Sequence, residues 1–283
     1  MGSWREKSAI VTGGGSGIGK ALGAGLARRG ARVWLSDINE GAVKAAAAEI
    51  GRGVQSAVLD VTDADAVRAH IEEVARAHGR IDAVFNNAGI GVGGDIRELN
   101  LSHFDRSLDV NVRGVIHGIL AAFPLMKAQG GGTIVNTASA AGLLALPLMA
   151  PYCMSKHAVV GLSKSLRYEA EQHNVRMNVL CPTAIETPLL DTEVSRDLGA
   201  SWRPDIRAYL TEVGGPPYPV DRFVEYALDQ IEKNKGVIVA PLGARLRLAF
   251  GRFFPGVVEA LTKKAYLGTL ATRPDDDPAT DQP

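Results

Sequence analysis

Cysteine is scarce in this chain. Its 283 residues include only Cys153 and Cys181. Neither has a CxxC partner, so no disulfide framework is implied and two reduced thiols are expected. An excess of one charge is missing too. The 31 Lys and Arg residues balance 31 Asp and Glu, which excludes the basic surface of a nucleic-acid-binding protein. No run approaches the roughly 20 apolar residues of a membrane span, and residues 1–8 lack the apolar core of a signal peptide. Gly2 raises N-myristoylation, but Glu6 stands where that motif requires Ser or Thr. His70 and His78 lie eight apart on one helical stretch with no acidic or thiol ligand beside them. They read as surface histidines, and no metal site is expected. There is no internal repeat.

What is present is 46% hydrophobic and 22% charged, the balance of a soluble globular chain. The length suits one large α/β domain, and a cytoplasmic location is expected. Short apolar, β-branched runs read as strands at 8–12, 32–36, 54–59, 81–85, 132–138, 175–181 and 236–240. Helical patterns alternate with them at 20–29, 39–50, 63–78, 102–128, 151–173 and 221–234. This alternation predicts a doubly wound parallel sheet with right-handed crossovers.

The first strand runs straight into a glycine turn and a helix. Gly13, Gly17 and Gly19, with Ser16 and Ile18 between them, form a GxxxGxG pattern. Strand, glycine turn and helix N-terminus together cradle a pyrophosphate, because glycines admit close approach and the helix end offers free N–H groups. Asp37 ends the second strand about 20 residues on. A carboxylate there accepts hydrogen bonds from an adenosine ribose 2′-OH and repels a 2′-phosphate. Ser16, Ile38 and Asn39 supply no basic side chain, so the reading is NAD rather than NADP. A solvated Asp opening a turn is the plainer alternative. Asp60 and Asn87 also follow strand ends, so Gly13, Asp37, Asp60 and Asn87 are expected on one rim of the sheet.

Tyr152 and Lys156 are four residues apart, and Pro151 can open the helix that carries them. The spacing stacks both side chains on one face. A phenol titrates near about 10, and an adjacent ammonium lowers that value, so the pair can form a proton shuttle. Alone, such a pair is most often structural. Asn111, within a helical stretch, is a mediocre helix former and invites either a special role or plain exposure.

These residues resemble the short-chain dehydrogenases/reductases, specifically the branch of roughly 250-residue single-domain enzymes. The resemblance spans about residues 5–241. It rests on TGGGSGIG at 12–19, Asp60, NNAG at 86–89, Asn111, Ser139, the Tyr152-Cys153-Met154-Ser155-Lys156 run, and a strand ending at Pro182. It implies a single Rossmann domain with a seven-stranded parallel sheet, a nicotinamide cofactor, and a homodimer or homotetramer. It further implies that Tyr152 is the general acid/base and that Lys156 lowers its pKa and binds the nicotinamide ribose. Ser139 would hold the substrate oxygen, and Asn111 would bend its helix and position a water beside Lys156. Asp60 and Val61 would flank the adenine, Asn87, Ala88 and Gly89 line the cofactor, and Pro182, Ile185 and Thr187 meet its nicotinamide end. Thr183 departs from the family, which usually has Gly there; Thr resists the positive φ open to Gly.

The resulting expectation is an NAD-dependent dehydrogenase acting on a secondary alcohol or ketone of an apolar substrate. The alternatives are an NADPH-linked ketoreductase of acyl-thioester type and a dinucleotide-binding sensor without turnover. Substrate contacts are expected from Ser139, Leu144, Met149 and Leu189, in loops at 140–150 and 187–215. Residues 1–241 read as the catalytic domain, 242–271 as an amphipathic helical extension, and 272–283 as a disordered tail. Phe250, Phe253, Phe254 and Leu261 are expected to pack as a lid over the pocket with Leu143, Leu144, Met149 and Leu189. A subunit contact or a membrane-surface helix are the other readings of that stripe.

Overall fold

A computed structural model describes residues 4–191, 198, 199, 202 and 204–273. The strands are β1 (Ser8–Thr12), β2 (Arg32–Asp37), β3 (Gln55–Val58), β4 (Ala83–Asn86), β5 (Gly132–Thr137), β6 (Val175–Pro182) and β7 (Val237–Ala240). They form one sheet in the order β3-β2-β1-β4-β5-β6-β7. Every adjacent pair is parallel. All five residues of β1 are buried, as expected of a continuous apolar run in the middle of a sheet covered on both faces. The chain reverses winding between β1 and β4, which opens a crevice at the carboxyl ends of those strands.

The helices are α1 (Gly17–Arg28), α2 (Glu40–Ile50), α3 (Ala64–His78), α4 (Leu101–Leu108), α5 (Gly114–Ala128), α6 (Ala150–Glu171), α7 (Ile206–Gly214), α8 (Val220–Glu232), α9 (Leu242–Phe253) and α10 (Pro255–Leu270). Two cores follow from their placement. Leu22 and Leu26 of α1, Val43 of α2, and Phe223 and Leu228 of α8 pack on one face of the sheet. Ile71 and Val74 of α3, Ile119 and Met126 of α5, and Val159 of α6 pack on the other. Side-chain caps start several helices. Asn39 Oδ1 accepts from Ala42 N at 2.9 Å and Asp63 Oδ1 accepts from Ala66 N at 3.0 Å.

Several expectations need correction. His70 is not at the surface. It is 7% exposed and its Nε2 lies 2.7 Å from Ser36 Oγ. Burial lowers its pKa from the usual imidazole value, with Glu73 pulling weakly the other way. His78 accepts from Trp34 Nε1 at 3.1 Å. The cause is the half-buried Trp34 of β2, whose indole sits between the two imidazoles. The stretch at 101–128 is not one uniform helix. A π-helical turn, Asp109–Arg113, separates α4 from α5. The whole 28-residue unit is long and apolar enough to cross a membrane by length and composition alone, contrary to the reading of the sequence. Here α5 packs on the sheet and beside α3, and 33% of the most apolar window of the unit is buried.

The segment after β6 is less irregular than expected, for it contains a 3₁₀ turn, Pro188–Asp191, and α7. Asp205 caps α7 by accepting from Ala208 N at 2.8 Å. The extension forms two helices that meet at Phe254. Of the expected tail, Thr272 and Arg273 are described and Arg273 is largely buried, at 10% exposure; residues 274–283 lie outside the described residues.

Candidate active site

The glycine turn leaves β1 with Gly13 at φ +66°, and Gly17 follows at φ +51°. Space is as decisive as φ. A Cβ on Gly19 would lie 2.0 Å from Gly13 O, and one on Gly13 would lie 2.7 Å from Ala88 Cα. The first helical bond of α1 is Lys20 N to Ser16 O. The N–H groups of Gly17, Ile18 and Gly19 therefore precede the helical ladder, and all three residues line a cleft of about 520 Å³.

Asp37 lines the same cleft. Its Oδ2 accepts from Gly15 N and its Oδ1 from Asn39 N, both at 3.0 Å. These bonds fix the carboxylate at the end of β2 and leave lone pairs for a hydroxyl donor. Asp60 is held by Thr62, whose N and Oγ1 both donate to Asp60 Oδ1, at 2.9 and 2.8 Å. Asn87 donates from Nδ2 to Thr12 O at 3.1 Å and accepts from Thr137 Oγ1 at 3.1 Å. Thr12 Oγ1 in turn accepts from Asn87 N and Ala88 N at 3.0 Å each. Thr12 and Thr137 thus tie β1, β4 and β5 together at the rim, a role the sequence reading did not assign. Only their positions at strand ends could have signalled it.

Tyr152 and Lys156 project from the first turns of α6, at 8% and 3% exposure. Lys156 Nζ stands 5.5 Å from the centre of the Tyr152 ring and donates to Thr137 O at 3.0 Å. The expected lowering of the phenol does not occur in this geometry. Burial pushes Tyr152 up to about 12, opposed by a hydrogen bond from Ser139 and reinforced by Cys153 and Cys181. Burial pushes Lys156 down to about 8, with Cys181 acting weakly against it. The physical reason is that desolvation penalises both charged forms. Ser139 Oγ also accepts from Ala141 N at 3.1 Å, capping the 3₁₀ turn Ala140–Gly142, and faces Pro182 O at 3.4 Å.

Asn111 lies in the π turn and is fully buried. It is not on the cleft wall. Its Oδ1 accepts from Ile90 N at 2.9 Å, while Nδ2 donates to Ile90 O and Ser155 Oγ at 3.0 Å. It braces the strand exit against α6. A Cβ on Gly89 would lie 3.0 Å from Asn111 Oδ1 and 3.3 Å from Lys156 Nζ, so glycine lets all three groups meet. Ser155 and Ser107 were missed by the sequence reading. Ser107 Oγ donates to Pro151 O at 3.0 Å, joining α4 to the start of α6.

Every other residue singled out from the sequence as a cofactor or substrate contact lines the one cleft, including Val61, Pro182, Ile185, Thr187, Leu144, Met149 and Leu189. Leu143 does not; it packs into the core beneath α5 and α6. Thr183 lines the cleft with an ordinary negative φ. Its N and Oγ1 both reach Ala240 O, at 3.1 and 3.3 Å. The extension does not form the expected lid. Phe250, Phe253, Phe254 and Leu261 are 50–77% exposed, and none lines the cleft. The reason is connectivity. The extension leaves β7 and returns along the outer side of α7, and α7 itself supplies the wall through Ile206, Leu210 and Val213. Asp205 followed by apolar residues at 206, 209, 210 and 213 was a helix signal the sequence reading passed over. Arg207 ties α7 to the preceding turn through Asp191, at 2.7 and 2.8 Å.

The donor set fits a dinucleotide: a glycine turn at a helix N-terminus, a fixed carboxylate after β2, and a buried tyrosine and lysine at the far end. Fold and site thus define an oxidoreductase of the Rossmann class. A sequence profile described as short chain dehydrogenase matches residues 7–197, and the chain belongs to that family. It is 37% identical over 221 residues to a 2,5-dichloro-2,5-cyclohexadiene-1,4-diol dehydrogenase of Sphingobium indicum, covering 77% of this chain and 84% of that one. A short chain dehydrogenase/reductase of Burkholderia phymatum, solved with NAD, superposes with a TM-score of 0.81 at 29% identity, covering 91% and 96% of the two chains. A 3-ketoacyl-(acyl-carrier-protein) reductase of Brucella melitensis, solved with NADH, gives 0.74 at 30% identity, covering 84% and 98%. As a member, the chain is an oxidoreductase of a family that binds a nicotinamide dinucleotide.

Proposed function

We propose that this chain is an NAD-linked oxidoreductase that interconverts a secondary hydroxyl and a ketone on a small apolar substrate. The observation that carries the cofactor choice is Asp37. Its carboxylate lines the cleft after β2, where it can accept from a ribose 2′-OH and would repel a 2′-phosphate. The basic residues lining the cleft, among those described, are Lys156 on α6 and Arg106 on α4. Neither belongs to β2, which carries Asp37, or to the turn after β3, which carries Asp60. The far end supports an apolar substrate, because Leu144, Leu146, Met149, Leu189, Ile206 and Leu210 line it. The likeness to a dehydrogenase of a chlorinated ring diol points the same way.

A bound nicotinamide dinucleotide supplies the hydride donor or acceptor. Gly17, Ile18, Gly19, Asp37 and Lys156 would hold it. Tyr152, protonated at neutral pH, donates its proton to the oxygen of a ketone and takes it back from an alcohol. Ser139, which lines the cleft with that phenol, orients the same oxygen. Lys156, with its pKa near neutrality, can pass a proton onward, and Asn111 keeps α6 against the strand exit so that these groups stay aligned. The exclusion of water by the apolar wall strengthens each of these contacts.

The likeness to the Brucella reductase favours a second reading, reduction of a 3-ketoacyl thioester. Cytoplasmic residence and a homodimer or homotetramer complete the proposal; exposed Leu101 and Leu120 on α4 and α5 offer an apolar face for association. Steady-state kinetics with NAD and NADP on 1-phenylethanol, cyclohexanol and an acetoacetyl thioester test the whole. NAD should be preferred by about tenfold or more, and Asp37→Ala should narrow that gap. An unaltered protein that uses NADP as well as NAD would sink the cofactor assignment.

A further inference from the structure

Arg273 lies three residues beyond α10, in a stretch whose sequence gives no reason for burial. Yet its side chain is 10% exposed. Nη2 donates to Glu98 Oε1 at 2.9 Å, and Nη1 stands 3.5 Å from Asp95 Oδ2. The guanidinium lies 5.6 Å from the ring of Trp202, itself 7% exposed. Glu98 Oε2 accepts from the Trp202 backbone N–H at 3.1 Å. One cation and one carboxylate therefore join three stretches distant in sequence, at 95–98, 202 and 273.

Each stretch leads to the substrate end of the cleft. Gly93 lines the cleft, and Gly94 N donates to Leu148 O at 2.8 Å, one residue before the lining residue Met149. Trp202 precedes Pro204 and α7, which form a wall of the cleft. Arg273 follows α10, which packs on α7. We infer that Arg273 is a positioning residue: it latches the Trp202–α7 segment to the loop at 95–98 and so sets the shape of the substrate end. The inference rests on the reading of that end as the substrate site.

The chemistry selects arginine. A planar guanidinium can face an indole and meet two carboxylates at once, whereas an ammonium is a single point charge. Two of its nitrogens, Nε and Nη1, have no hydrogen-bond partner. The hold therefore comes from one charge-assisted bond, ionic proximity and ring contact. Glu98 and Asp95 are largely buried, at 12% and 3% exposure, and loss of Arg273 removes a positive charge from beside both.

Hydrogen exchange read by mass spectrometry on the full chain tests the latch without any substrate. Arg273→Ala should speed exchange across α7 by about tenfold or more and leave β1, α1 and the first turns of α6 unchanged. NADH affinity should stay within about twofold. With 1-phenylethanol as the probe, KM should rise about fivefold or more with kcat nearly constant. Arg273→Lys should restore part of the protection, and Glu98→Gln should reproduce the loss from the other side of the contact. Unchanged exchange in α7, or faster exchange spread evenly over the molecule, would overturn the inference. If the unaltered protein does not turn over 1-phenylethanol, the substrate reading is what fails, and the exchange and NADH arms still decide the latch.

Discussion

The two ends of the cleft are made in different ways. At the cofactor end, Asp37 ends β2 while Gly13, Asp60 and Asn87 follow β1, β3 and β4, and those strands are neighbours in the order β3-β2-β1-β4. Sheet register therefore fixes their spacing. At the substrate end the walls come from the loop at 140–149, the 3₁₀ turn Pro188–Asp191, and α7. These pieces are placed by packing and by salt links such as Arg207–Asp191. A site held by a sheet cannot change one residue without disturbing the next. A site held by helix packing can change shape while the sheet stays intact, which is how one fold serves many substrates.

The sharpest break of this comparison lies at the junction of the two ends. Tyr152→Phe removes only a hydroxyl, so turnover should fall about 10²–10⁴-fold while NADH titration shows nearly unchanged affinity. Retention of most activity would remove Tyr152 from the chemistry. The next effect contrasts the halves directly. Gly19→Ala forces a Cβ to 2.0 Å from Gly13 O, so NADH binding should weaken more than about tenfold and stability should drop by about 1–3 kcal/mol. Its counterpart Leu144→Ala should leave NADH affinity alone and shift selectivity between bulky and small alcohols by about tenfold. Equal damage from both would erase the distinction.

A further effect concerns Lys156 and stability. Its pKa is lowered from 10.5 to about 8 in the fold, chiefly by burial. A folded pKa below the unfolded one means that the buried ammonium destabilises the protein below about pH 8. That penalty is relieved as pH rises from about 8 through 10.5. Lys156→Met should therefore be more stable than the parent at pH 7, by about 2 kcal/mol once the lost bond to Thr137 O is counted, and inactive. Thermal melts at pH 7 and 10 should show that advantage shrinking. A constant difference would mean the lysine is not penalised by burial.

The cofactor end was legible in the sequence because its constraints are local. Glycines with no room for a Cβ, and an acid after a strand, announce themselves within a few residues. The seven strands were legible for the same reason, from short β-branched runs. The substrate end was not. Whether Leu143 or Leu144 faces the cleft depends on the path of a loop, and nothing in the residues records it. The extension misled because its apolar stripe suggested burial over the pocket, whereas the turn at Phe254 carries the returning helix to the outer side of α7. Arg273 was read as tail because its partners, Glu98 and Trp202, lie 175 and 71 positions away. His70 was read as exposed because its contact to Ser36 joins a helix to a strand from a different unit.

The π turn at Asp109–Arg113 has a consequence for insertions and deletions. Such a turn is an α-helix carrying one extra residue. Deleting a residue elsewhere in α4 or α5 would rotate everything beyond it by about 100° and turn the core face outward. Deleting one within 109–113 would instead close the turn into regular helix and leave both flanks in phase. The backbone can thus absorb a deletion at one place in this 28-residue stretch, and that place holds the asparagine whose three bonds brace Ile90 against α6.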